Sequence, residues 1–294
     1  MARRRHPPAR TSQENALSTA PAARRPAVLY VTDYSYEARG RRYSDEDVFL
    51  SRRMREEFDV EVCHPRDAAA MLDGFDAVVI RNSGPVMYYQ EAYDAFRARA
   101  RELGTAVYNP LDGRGDMAGK QYLVEMSRAG LPVIPTVDRA ADLGLLPRAA
   151  EYAVKPKAGA DSVGLRFTTD PVLPEGSDGT FLVQPRIDFR YEVSFYFIDD
   201  DFQYALYAPD TERRWVLEPY GPGPADLEFA RTFIRWNSLA HGIQRVDACR
   251  TLEGGLLLVE LEDLNPYLSL DRVSEEVREA FVARMKTSVR GVLA

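Results

Sequence analysis

Glu260 and Glu262 stand two residues apart at the end of the apolar run 255–259, which reads as a buried strand. On a strand both carboxylates point to one face. Asn265-Pro266 follows, breaks the strand and places an oxygen donor nearby. Asp247 lies on the preceding segment 244–249 and joins them if the two strands form a hairpin across residues 252–255. Carboxylates and an amide grouped at one strand end are hard oxygen donors that suit Mg²⁺. Arg245 is two before Asp247 and shares its face. An arginine beside metal carboxylates suits a transferring phosphoryl group or an anionic substrate; the structural alternative is a salt bridge to Glu260 or Glu262. Taken alone, the motif is more often a solvated strand end.

A second group surrounds Lys155, at the end of the strand-like segment 152–155. The loop KPKAGADSVG over 155–164 joins two strands. Gly159 and Gly164 let its backbone turn and approach a ligand, and Ser162 with free backbone N–H groups can cradle phosphate oxygens. Lys155 reaches the same phosphates as a point charge. The loop lacks a Gly-Lys-Ser/Thr ending and opens no helix, so it is not a Walker loop. Gln184 ends the apolar strand 181–184, where it can bond an adenine edge, and Glu192 on the next strand can bind ribose hydroxyls. Either can equally be a satisfied core group. Arg213 and Arg214 add cations. Arg81 and Asn82 lie at the C-terminal end of a strand, where α/β folds place ligands, with Tyr34, Tyr36, Tyr88 and Tyr89 available to line a pocket.

Composition limits the alternatives. At 294 residues, 45% hydrophobic and 28% charged, the chain has the make-up of a soluble globular protein with room for two or three subdomains. A net charge of −7 argues against a general nucleic-acid binder, and no apolar run is long enough to span a membrane. The two cysteines, Cys63 and Cys249, sit in apolar strands and are expected to be inert. His6, His64 and His241 have no metal-ligand spacing. Residues 1–25 hold six Arg against one Glu, without an apolar signal region, and read as a disordered basic arm. The expected location is the cytoplasm.

The elements that position these residues follow from periodicity. Strands are predicted at 26–31, 60–62, 76–81 and 105–108, with helices over 45–58 and 89–103; the first helix offers Val48, Phe49, Met54 and Phe58 as its apolar face. Alternation of strand and helix means a parallel α/β unit over 26–110. A helix is predicted over 115–129 carrying Lys120. Strands at 152–155, 181–184, 190–197 and 201–207, an acidic turn at 199–201, and helices over 227–241 and 274–292 complete the chain. The fold class is α/β, turning to α+β in the second half, with boundaries at 110–111 and 185–186.

The order of parts resembles the ATP-grasp superfamily: a helix Lys, a strand Lys with a Gly-rich loop, a Val-Gln hinge, Arg-x-Asp, then Glu-x-Glu with Asn-Pro. The similarity covers about residues 26–290. The first unit looks like the domain preceding the grasp in glutathione synthetase and D-alanine–D-alanine ligase, and the nearest branch is the glutathione-synthetase-like, ribosomal-protein glutamate ligases. The ending is also similar to that of amino-acid ligases and the cyclo-ligase of cycloserine biosynthesis, which more often show Glu at the place of Asn265.

The resemblance implies that Lys120 and Lys155 bind the α- and β-phosphates of ATP. Residues 159–164 become the lid and Gln184 the adenine hinge. Asp247, Glu260 and either Glu262 or Asn265 hold two Mg²⁺, with Mn²⁺ as a substitute. The family pattern is Glu-x-Asn, so Glu262 departs from it, as does Asp161 in the lid. The implied activity is ADP-forming ligation of a small carboxylate to an amine through an acyl phosphate, with Arg245 and Arg214 in catalysis. A small-molecule kinase and a non-catalytic nucleotide-binding module are the rival readings. No nucleic-acid or membrane partner is expected, and a homodimer is left open.

Overall fold

The structure, a computed structural model, describes residues 24–38, 41–82, 86–158 and 164–293. The chain opens with β1 (Ala27–Thr32), whose central residues Val28 to Tyr30 are fully buried. A two-strand ribbon, β2 (Glu37–Ala38) and β3 (Arg41–Arg42), leads to α1 (Tyr43–Met54). Then come β4 (Asp59–Cys63), the short α2 (Ala68–Met71), β5 (Ala77–Asn82), α3 (Val86–Leu103) and β6 (Ala106–Tyr108). These four main strands form a parallel sheet in the order β4-β1-β5-β6. The central strands β1 and β5 are covered on both faces and are mainly apolar, whereas the edge strand β4 exposes Asp59 and Glu61.

Next come α4 (Gln121–Arg128), β7 (Tyr152–Pro156), β8 (Arg166–Thr168) and β9 (Phe181–Pro185). The three strands make a small antiparallel sheet, β8-β7-β9, over a core of Val137, Tyr152, Val154, Leu173 and Val183. β10 (Phe189–Ile198), β11 (Asp201–Ala208), β12 (Glu218–Tyr220), α5 (Pro224–Asn237), β13 (Ile243–Thr251), β14 (Leu256–Glu262) and α6 (Glu275–Val292) follow. The five strands form an antiparallel sheet ordered β12-β11-β10-β13-β14.

Alternation divides that large sheet. Val193, Phe195 and Phe197 of β10 pack with Val246, Leu258 and Leu261 against α4 and α5. The intervening Glu192, Ser194 and Tyr196 face the other way. Farther along the same face, Tyr196, Ile198, Tyr204 and Leu206 share one core with α6, α1 and the first sheet. The polar end of this face carries the residues of the candidate site. The expected fold class is observed, α/β with a mostly antiparallel second half. Among the described residues no helix is long and apolar enough to cross a membrane.

Three expectations are corrected. The apolar face assigned to α1 is wrong at Val48, which is 54% exposed, while Glu46, Asp47, Leu50 and Ser51 are buried. Hydrophobic periodicity does not register carboxylates that find partners in another layer. The helix predicted over 115–129 is a single 3-10 turn at Asp116–Ala118, then Gly119 at φ +81°, then α4. Tertiary bonds replace helical ones here: Gly115 N and Met117 N donate to Asp263 at 2.8 Å each, and Asp116 accepts from Asp263 N at 2.7 Å. The helix predicted over 227–241 begins at Pro224 and stops at Asn237, whose amide donates to Gln244 and Asp263. The short α2, β8 and β12 had no periodic signal to reveal them. Most of the basic arm, residues 1–23, lies outside the described residues. Arg24, however, pairs with Asp76 at 2.6 Å, and Arg25 donates to the Phe58 carbonyl at 2.8 Å.

Candidate active site

The predicted hairpin forms, and its register sets the site. Asp247 on β13 is opposite Glu260 on β14, and Arg245 is opposite Glu262. Arg245 forks onto Asp247, with Nε to Oδ1 at 2.9 Å and Nη2 to Oδ2 at 2.8 Å. The same guanidinium pairs with Glu262, and its Nη1 donates to the Tyr267 carbonyl at 2.9 Å. Ser194 of β10 donates to Asp247 Oδ1 at 2.6 Å.

Lys120 sits just ahead of α4, with Nζ 2.6 Å from Glu260 Oε1. The broken helix start aims it there, and its N–H donates to the Lys157 carbonyl at 3.2 Å. Lys155 on β7 makes no ion pair among the described residues. Burial, then the neighbouring Lys120 and Arg214, hold its ammonium down to about 8. Two residues on, Lys157 is paired with Asp138 at 2.5 Å and with Gln121. Burial opposes ionisation of Glu260, but Lys120 and Lys155 outweigh it and keep the carboxyl low. Glu262 is pushed up to about 8 by burial and by Asp247 and Glu260, against the pull of Arg245.

Other predicted residues have settled partners. Glu192 is held by Arg214 in a two-pronged bridge of 2.6 and 2.7 Å, not left open for a ribose. The Gln184 amide is buried and donates to Thr136 Oγ1 at 2.8 Å, so it braces β9 against residues 133–137. Arg81 is 3% exposed and committed to Glu46, Asp47 and the Pro266 carbonyl. Asn265 is half-buried beyond the end of β14. Gly164 lies at φ +76°, and a Cβ there would meet Pro156 at 2.9 Å, so only glycine fits. Gly159, Ser162 and the Asn82 side chain lie outside the described ones. Cys63 and Cys249 are buried, as expected; burial pushes the Cys249 thiol up to about 11.

Sequence reading missed Ser194, whose alternation with Glu192 on β10 was the available signal. It also missed Asp116 and Asp263, whose role is to shape the turn before Lys120 and has no local sequence mark.

Among the described residues no three His, Cys, Asp or Glu side chains stand close enough to hold a metal by themselves. The reason is visible: Arg245 bridges Asp247 and Glu262, and Lys120 binds Glu260. The donor set still fits a hard divalent cation, since three carboxylates from paired strands share one face. Opposite them, Lys155, Lys120 and Arg214 gather positive charge on an acidic protein. An anion that brings its own divalent cation matches both halves.

No protein-family model matches the sequence, and no curated protein matches it. Solved structures do match in shape. D-cycloserine synthetase DcsG superposes with a TM-score of 0.68 at 20% identity, covering 91% of this chain and 100% of that one. D-alanyl-alanine synthetase A from Vibrio cholerae gives 0.61 at 15% identity, with 92% and 99% covered. The ATP-grasp ligase PsnB, complexed with a precursor variant, Mg and ADP, gives 0.57 at 16% identity, with 89% and 99% covered. Over nine-tenths of its length this chain has the fold of the ATP-grasp ligases.

Proposed function

We propose that the chain is an ATP- and Mg²⁺-dependent ligase that joins an amino-acid-sized carboxylate to an amine and releases ADP and phosphate. The observation that carries this reading is Lys155, a half-buried lysine that makes no ion pair among the described residues and stands near Lys120, Arg214 and Glu260 on an ATP-grasp fold. A cation gathered with two others in a partly desolvated site is costly unless an anion pairs it, and a phosphate would do so.

ATP with Mg²⁺ supplies a phosphoryl group that turns a carboxylate into a good acyl donor, with its charge partly neutralised. Lys120 and Lys155 hold the phosphates. Asp247, Glu260 and Glu262 hold the metal, Glu262 being preferred to Asn265 because it shares the strand face. Arg245 and Arg214 stabilise negative charge on the transferring group and the substrate. Residues 159–164, the lid that the resemblance implies, would keep water from the activated acyl group.

The higher TM-scores with DcsG (0.68) and the D-alanyl-alanine synthetase (0.61) than with precursor-bound PsnB (0.57) support small amino-acid substrates over precursor peptides. The test is ADP and phosphate release across a panel of amino acids and amines, with product mass measured. A new amide with stoichiometric phosphate is expected. A stable phosphorylated acceptor would make the protein a kinase, and nucleotide binding without turnover on any pair would make it a binding module.

A further inference from the structure

We propose that Glu46 and Arg81 are positioning residues for Arg245, acting through the backbone of residues 266–270. The first sheet thereby sets the geometry of the carboxylate face. The ligase reading enters only through what Arg245 does, not through how it is held.

The segment 266–270 is bonded from two layers at once. The Pro266 carbonyl accepts from Arg81 Nη2 at 2.9 Å. The Tyr267 carbonyl accepts from Arg245 Nη1 at 2.9 Å. Leu268 N donates to Glu46 Oε1 at 2.9 Å, and Leu270 N donates to Glu46 Oε2 at 3.2 Å. The Leu268 carbonyl accepts from Tyr204 of the large sheet at 2.7 Å. Arg81 also reaches Glu46 at 3.2 Å and Asp47 at 3.5 Å. Asp47 is fixed in turn by Tyr30 at 2.9 Å and by Thr32, both on β1.

Glu46 and Arg81 are almost fully buried, so neither meets a substrate. Their work is on the peptide groups either side of Tyr267. The Tyr267 carbonyl is the neutral acceptor that fixes the third nitrogen of Arg245. Without it the guanidinium keeps only two carboxylates, which leave its rotation less defined. Buried ion pairs are poor sources of net stability but good devices for holding one arrangement.

The test uses the full chain labelled with ¹⁵N-arginine. The Arg245 Nε–H signal is assigned by its loss in Arg245→Lys. Arg250, which binds Asp226 at 2.7 Å and the Gly254 carbonyl at 2.9 Å, is the internal control. In Glu46→Gln, Nε–H exchange at Arg245 should quicken about tenfold while Arg250 stays within about twofold, as local loosening requires. Arg81→Lys should act the same way and serves if the first variant folds poorly. Unchanged exchange at Arg245, or equal quickening at both arginines, overturns the proposal. With substrate, Glu46→Gln should lose about tenfold in kcat with KM for ATP nearly unchanged. If the wild type releases no ADP on any pair, the ligase reading falls, and the exchange measurement still decides this one.

Discussion

Two clusters in this molecule have one composition, an arginine between two carboxylates. Arg81 with Glu46 and Asp47 is sealed, each side chain being at most 5% exposed, and every group reaches a neighbour in another element. Arg245 with Asp247 and Glu262 is 16–19% exposed and lies on a strand face beside Lys120 and Lys155. Sequence reading assigned both arginines to a ligand. Burial separates them: a sealed pair can fasten layers together, whereas an accessible one can exchange its partners for a ligand.

The largest expected effect tests that separation directly. Arg81→Ala leaves two buried carboxylates without their cation and should cost about 3–5 kcal/mol of stability in urea unfolding. Arg245→Ala should cost less than half as much and lose on the order of 100-fold in turnover. Equal stability losses in the two variants would erase the distinction.

A second contrast lies along β7. Lys155→Ala should also lose on the order of 100-fold in rate, with little loss of stability, because the lysine makes no ion pair among the described residues and is crowded by Lys120 and Arg214. Lys157→Ala should lower the melting temperature, since it leaves the buried Asp138 without its closest cation. Near-normal ADP production by a folded Lys155→Ala chain would remove the lysine from the site.

The third effect is on pH dependence. Burial and Lys120 hold Lys155 near 8, against 10.5 for an ordinary lysine. Its ammonium is present below pH 8 and lost above it, so kcat/KM for ATP should fall toward tenfold per pH unit beyond about 8. The linked stability has the opposite sign. Between 8 and 10.5 the unfolded chain binds the extra proton, so this group's contribution to stability rises with pH. A profile that keeps its alkaline limb in Lys155→Arg would assign that limb to another group.

The smallest effect concerns the arm. A chain beginning at Pro26 loses the exposed Arg24–Asp76 pair and the Arg25 bonds to the loop after α1, though Asp76 keeps the Ala27 N–H at 2.7 Å. Surface pairs of this kind contribute about 0.2–1 kcal/mol. Stability should drop by no more than about 1 kcal/mol, with the rate unchanged.

The sequence by itself determined the order of the main strands and helices, the hairpin that brings Asp247 to Glu260 and Glu262, and the candidacy of Lys120 and Lys155. These are local properties: strand alternation fixes which side chains share a face, and a turn signal between two apolar runs joins them as a hairpin. Tertiary structure alone decided which charged residues are working groups and which are fasteners. Glu46 and Asp47 look like a solvated helix face until β5 and residues 266–270 bring them Arg81 and two backbone donors. Gln184 looks like a hinge until Thr136 takes its amide. The helix start before Lys120 looks regular until Asp263, more than 140 residues away in sequence, captures its first N–H groups. A polar side chain's role depends on whether its partner is a protein group or a ligand, and that partner arrives from a distant part of the chain only when the layers close.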